Sequence, residues 1–243
     1  MRIGLISDIH GNCVALDAVL ADVAHHPVDG WVCLGDAVQG GVQPLEVAER
    51  LHELGCPVVM GNADAFVLDA TSSEEVTQAQ STVGRWTREA LGAEGAELVR
   101  SYVPNYELEL PGGETLLCFH GSPESFDTVL HPQTPRDELR KELGGRGAQL
   151  LCGGHIHRQW TVSLDDWAFF NPGSVGMAYN FHLPDDQIYI YPFAEFAIVS
   201  TEDDHPRIEF CRVPYDLDEL DRAARASGHP YGNSQAVRYR PRT

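Results

Sequence analysis

Apolar and polar positions alternate between two periods along the first sixty residues. Arg2–Ile6 is an apolar run of strand length, and Cys13–Ala24 carries Val14, Leu16, Val19, Leu20 and Val23 at helical spacing. Trp31–Leu34 and Pro57–Met60 repeat the buried-strand pattern, with Pro44–Leu54 between them as a helix that opens on proline. A β-α-β-α-β order predicts parallel strands joined by helical crossovers. Ser73 reads as the cap of a following helix, and two helices are expected over Glu74–Leu91 and Ala93–Tyr102.

The second half reads mostly as strands. Tyr106–Leu110 and Glu114–Phe119 flank the turn signal Pro111-Gly112-Gly113 and predict a hairpin. Leu150–Cys152, Thr161–Leu164, Trp167–Phe170, Phe193–Val199 and Arg207–Val213 follow, and Leu217–Ala226 closes as a helix. No repeat or low-complexity segment interrupts this order. The 243 residues suffice for one large core, so a single domain over 1–243 is expected.

Charge narrows the function. A formal net charge of −19 argues against nucleic acid, whose backbone is bound by clustered Lys and Arg, and against anionic membrane surfaces. No apolar stretch approaches the roughly 20 residues that span a bilayer. The chain starts as a strand running straight into a motif, so no removable signal peptide is expected and the expected location is cytoplasmic. Cys13, Cys33, Cys56, Cys118, Cys152 and Cys211 show no C-x-x-C pairing, and most sit in apolar runs. They read as buried, reduced thiols.

Six short segments carry the candidate chemistry: Asp8-Ile9-His10, Gly35-Asp36, Gly61-Asn62-Ala63-Asp64, His120-Gly121-Ser122, Gly153-Gly154-His155-Ile156-His157 and Asn171-Pro172-Gly173-Ser174. Asp8 and His10 follow the first strand, and in an extended segment residues two apart point to one side. Asp36 and Asn62 follow the second and third strands at glycines that permit tight turns. Carboxyl ends of neighbouring parallel strands form the usual ligand crevice of an open α/β sheet. Taken singly, each piece has a plain reading: Asp36 as a turn residue, Asn62 as a helix cap, His120 as a hydrogen-bonded strand-end histidine. Gly173 and Ser174 read equally as a turn after a strand or as residues that shape the site. Together, imidazole nitrogen and carboxylate oxygen suit Mn, Fe, Ni, Co or Zn better than Ca or Mg.

In order and spacing these segments resemble the calcineurin-like metallophosphoesterases, most closely small prokaryotic members that begin with a Ser-Asp-x-His-Gly-Asn run. The resemblance implies a four-layer α/β/β/α sandwich of two mixed sheets flanked by helices. It implies two divalent transition-metal ions, one held by Asp8, His10, Asp36 and His157 and the other by Asp36, Asn62, His120 and His155. Asp36 would bridge them, its two oxygens spanning ions roughly 3.5–4 Å apart. The implied activity is hydrolysis of a small phosphorylated substrate by a metal-activated hydroxide, on a phosphodiester or a nucleotide pyrophosphate. A phosphomonoesterase or protein phosphatase is the alternative within this class, and a metal- and phosphate-binding module with weak catalysis is the alternative outside it.

One position departs from the pattern. Where family members often carry Gly-Asn-His-Asp, this chain has Ala63, so the histidine thought to bind phosphate and protonate the leaving group is missing and Asp64 lacks the partner it would orient. Asp36, Asn62 and Asp64 are nonetheless the candidate catalytic residues. His131 and His182 on loops, and Arg158 beside His157, are further residues that could reach a substrate. The sequence names neither the physiological substrate nor the oligomer.

Overall fold

The computed structural model describes residues 1–68, 77–179, 189–201 and 206–233. The apolar run Arg2–Ile6 is strand β1, followed by helix α1 (Cys13–Ala21), a short 3-10 turn (Asp22–Ala24), β2 (Gly30–Cys33) and α2 (Pro44–Glu53). Pro44 starts α2, where its fixed φ suits a first turn and its missing N–H costs nothing. β1 and β2 pair in parallel, Ile3 with Gly30 through Ile6 with Cys33, as the crossover helix requires.

Two mixed sheets result. One has the order β2-β1-β8-β9, where β8 (Phe193–Ser200) and β9 (Arg207–Pro214) run antiparallel to their neighbours. The other has the order β3-β4-β5-β7-β6, formed by β3 (Tyr106–Glu109), β4 (Thr115–Cys118), β5 (Leu150–Cys152), β6 (Gln159–Leu164) and β7 (Trp167–Pro172). The expected hairpin is β3–β4. Alternation along each strand sorts side chains into layers. Ile3, Leu5, Val32 and Val199 meet Leu116, Cys118, Leu150 and Phe170 between the sheets. The other face of the first sheet packs Ile6, Cys33, Phe196 and Ile198 against Leu16, Val19, Val47, Leu51 and Leu91 of the helices, with Leu220 of the closing helix α6 (Leu217–Ala226). The outer face of the second packs Leu117, Leu151 and Phe169 against Leu139 and Leu143 of α5 (Arg136–Leu143). This is the α/β/β/α sandwich.

Three local expectations change. Pro57–Met60 is not a regular strand. It makes single bridges, with the Val59 amide donating to Cys33 O (2.8 Å) and the Val103 amide to Val58 O (2.9 Å), because Pro57 has no N–H and the chain turns at Gly61. Ser73 lies outside the described residues. The helix beyond it, α4 (Gln78–Arg100), is capped by Thr77 in a reciprocal box with Gln80 and is broken at Gly92 (φ 62°), where the two expected helices divide. α5 lies in a stretch where no element was expected. Its spacing of Leu139 and Leu143, with Asp137 and Glu138 in the first turn and Arg140 and Lys141 in the last, makes the helix in a short, mostly charged segment. None of the described helices is long and apolar enough to cross a membrane.

Candidate metal centre

The sandwich brings five loops to one edge. Those after β1 and β2 leave the first sheet, and those after β4, β5 and β7 leave the second, where β4, β5 and β7 are mutually parallel. Backbone pairing continues past the strand ends: the amides of Asp8, His10 and Gly11 donate to Gly35 O, Asp36 O and Ala37 O at 2.8–2.9 Å. The loop after β7 closes over them, with Val175 N–H on Ser7 O (2.9 Å) and Ser174 Oγ on Asp8 O (2.7 Å). Ser174 therefore shapes the site and is more than a turn residue.

Six non-glycine residues in the described chain have positive φ: Asp8, His10, Asp36, His155, His157 and Asp165. Five of them are among the seven candidate metal residues. Each costs about 1–3 kcal/mol that surrounding structure must over-determine, and such residues concentrate at functional sites. The geometry also corrects the extended-segment argument for Asp8-x-His10, and the His155-x-His157 pair is built in the same way. Both pairs converge through left-handed turns, φ 54° and 48° in the first and 74° and 55° in the second, and not through strand alternation.

Two groups of ligand atoms result: Asp8, His10 and His157, and Asp36, His120 and His155, each with its atoms within 4.8 Å of one another. In the first, His157 Nε2 lies 3.4 Å from Asp8 Oδ1 and 3.1 Å from His10 Nε2. In the second, His120 Nε2 lies 3.4 Å from Asp36 Oδ2 and 3.1 Å from Asn62 Oδ1. Asp36 Oδ2 is also 3.8 Å from His10 Nε2, so this one oxygen faces both groups. Its partner Oδ1 accepts the Ala63 amide at 2.8 Å. The start of helix α3 (Asn62–Leu68) thus holds Oδ1 and leaves Oδ2 facing the two groups.

Three of the four imidazoles are fixed from behind. His10 Nδ1 meets Gln39 O (2.7 Å), His120 Nδ1 meets Leu34 O (2.7 Å) and His157 Nδ1 meets Met177 O (2.9 Å). A carbonyl only accepts, so each Nδ1 carries a hydrogen and each Nε2 is turned to the cluster, the arrangement that orients metal-binding histidine. Tyr179 stacks on the His157 ring at 5.2 Å. These supports are backbone oxygens and one tyrosine, which side-chain motifs do not reveal.

The electrostatics fit a cation. Burial would raise the carboxyls of Asp8 and Asp36, but His157 and His120 beside them outweigh it and hold both below the usual range. Burial would lower His120 and His157, yet Asp36 pushes His120 up to about 10 and Asp8 raises His157. Burial lowers His10, with His157 adding to it, and burial and His120 together lower His155. Positive charge beside each carboxylate is what the cluster demands. Two buried ligand atoms, Asp8 Oδ1 and His155 Nδ1, have no hydrogen-bond partner, and a buried polar atom left so costs about 1–3 kcal/mol unless something binds it. The residues present therefore fit divalent metal.

Asp64 departs from its expected role. Its carboxylate accepts the amides of Val38 (3.0 Å) and Ala37 (3.1 Å), with Gly61 N–H at 3.4 Å, and it is fully buried. Burial and the Asp36 charge push it up to about 7 against the pull of those amides. It clamps the turn that carries Asp36 and does not face residue 63 as an orienting partner. His131 is an exposed loop residue whose amide donates to Thr134 Oγ1, Arg158 is half-buried, and His182 lies outside the described residues.

Fold and ligand geometry together define a metallophosphoesterase. The chain belongs to the calcineurin-like phosphoesterase superfamily, whose domain matches residues 1–192. It is 29% identical over 232 residues to an uncharacterized protein of Methanocaldococcus jannaschii, covering 88% of each. A metallophosphoesterase from Sphaerobacter thermophilus is 26% identical, with 98% of both chains covered and a TM-score of 0.73. A hypothetical protein from Pyrococcus horikoshii shares the fold at 20% identity, 98% coverage of both chains and a TM-score of 0.79.

Proposed function

We propose that this chain is a metal-dependent phosphohydrolase that cleaves a phosphodiester or phosphoanhydride in a small substrate at a dinuclear centre. The observation that carries this reading is Asp36 Oδ2, set 3.8 Å from His10 Nε2 on one side and 3.4 Å from His120 Nε2 on the other. Asp8, His10 and His157 would hold one ion and Asn62, His120 and His155 the other, with Asp36 shared. When bound, two such ions neutralise charge developing on phosphoryl oxygens and lower the pKa of water. The ligand set, nitrogen and oxygen without thiolate, suits Mn, Fe, Ni, Co or Zn.

The chain's own residues supply position. The backbone carbonyls behind His10, His120 and His157 hold each ring in one tautomer and one orientation, so the ligand set is assembled before substrate arrives. In a protein of net charge −19, an anionic substrate is attracted only where cations invert the local field. Ala63 offers no proton to a leaving group, and general acid help is worth about 10²–10⁴ in rate. Aryl esters and anhydrides, whose leaving groups need little protonation, lose least from its absence, and alkyl monoesters lose most. That favours anhydrides and esters of acidic alcohols over esters of alkyl alcohols. Ala63 also motivates the second reading, a metal- and phosphate-binding module with weak catalysis. Turnover of bis(p-nitrophenyl) phosphate with Mn²⁺, abolished by chelation and restored by Mn²⁺, supports the hydrolase. Stoichiometric metal uptake without turnover supports the binding module.

A further inference from the structure

Away from the loop edge, the first sheet ends in strand β9, and the connection from α1 to β2 lies against it. Glu209 and Cys211 are two apart on β9 and so project from one face. Their ligand atoms and one ring nitrogen of His26 all lie within 4.8 Å of one another. We propose that His26, Glu209 and Cys211 form a second metal site, selective for zinc, that ties the α1–β2 connection to the edge strand.

The spacing suits one ion. His26 Nδ1 lies 3.4 Å from Glu209 Oε1, and two ligand atoms each about 2.0–2.1 Å from a tetrahedral zinc stand roughly 3.4 Å apart. The other Glu209 oxygen faces the Arg2 guanidinium at 3.5 Å, which turns Oε1 toward His26. Behind the ring, Asp22 Oδ2 lies 3.8 Å from His26 Nε2 while its Oδ1 is 3.1 Å from His25 Nδ1. At 3.8 Å the carboxylate lies beyond hydrogen-bond reach of the ring but adds negative charge beside it. Cys211 is buried, whereas the His26 and Glu209 side chains are 32% and 49% exposed, so an ion enters from solvent and keeps an open position for water. The thiol sets this site apart from the loop-edge cluster. Sulfur, nitrogen and oxygen together select zinc, while the sulfur-free cluster accepts manganese.

Cobalt reports the difference, because only a thiolate ligand gives near-ultraviolet thiolate-to-cobalt charge-transfer absorption. Saturating the full chain with Co²⁺ is expected to develop that band with the intensity of one thiolate-bound ion per chain, and excess Zn²⁺ is expected to remove it. Cys211→Ser should abolish it. His26→Ala, at a partly exposed ring whose loss does not threaten the core, should weaken Co²⁺ binding at this site roughly tenfold or more. A Co²⁺-saturated protein without the band, or a band that survives Cys211→Ser, overturns the proposal. So does unchanged affinity in His26→Ala.

Discussion

The Nε2 atoms of His10 and His157 lie 3.1 Å apart, although each ring is held from behind by a backbone carbonyl through its Nδ1. Two neutral rings so held would point lone pairs at each other, a repulsive contact that a shared cation converts into ligation. His10→Ala or His157→Ala should therefore cost more Mn²⁺ affinity than the roughly 10–100-fold typical of losing an outer partner. Each should lower the count measured by metal analysis from two ions to one. Retention of both ions at wild-type affinity would separate these rings from metal binding.

Asp64 tests a different layer. Asp64→Asn keeps one acceptor but sets an NH₂ group against a backbone amide of the 37–38 turn. An unpaired buried amide costs about 1–3 kcal/mol. Urea unfolding should show a loss of that size, with a matching fall in Mn²⁺ affinity because Asp36 is carried by the same turn. An unchanged midpoint would mean that the turn holds itself.

Much of this was legible in the sequence, and the misses have physical causes. Apolar period located β1, α1, α2, the β3–β4 hairpin, the β8–β9 pair and α6, because each buries one face against a continuous core. It missed α5, whose two leucines are too few to stand out among charges, and it overstated Pro57–Met60, where apolar character reflects burial without a ladder. The candidate ligands were named by residue type and order. Their mode of convergence was not, since left-handed φ at Asp8, His10 and Asp36 leaves no mark on the identity of a non-glycine residue. The direction of the Asp64 carboxylate was equally hidden, because its partners are backbone amides that every residue possesses.

Ala63 invites a gain of function. Its amide already holds Asp36 Oδ1 and would be kept in Ala63→His. The new imidazole should raise kcat on alkyl phosphate esters by up to roughly 10²-fold, below the full general-acid range because Asp64 is turned away and does not orient it. Nitrophenyl esters should gain little. The comparison is made at equal metal content, and equal stimulation of both substrate types would identify phosphate binding in place of proton transfer.

Gly61 shows how little room the centre leaves. A Cβ at this position would overlap the Asp36 carboxylate and backbone amide. Gly61→Ala should displace Asp36, cost about 1–3 kcal/mol of stability as overpacking does, and lower Mn²⁺ occupancy on both sides. Gly30→Ala is the control, because a Cβ there meets only Ile3 at 3.9 Å without a positive φ. Equal occupancy in the two variants would show that the position of Asp36 is not critical.

The shared carboxylate is tested most directly by anomalous X-ray scattering from Mn²⁺-loaded crystals of the wild type and Asp36→Ala. The wild type should show two peaks flanking Asp36 Oδ2, one bordered by Asp8, His10 and His157 and the other by Asn62, His120 and His155. Asp36→Ala should weaken both peaks together. A single peak in the wild type, or two peaks that persist undiminished without Asp36, would contradict a dinuclear centre built on that oxygen.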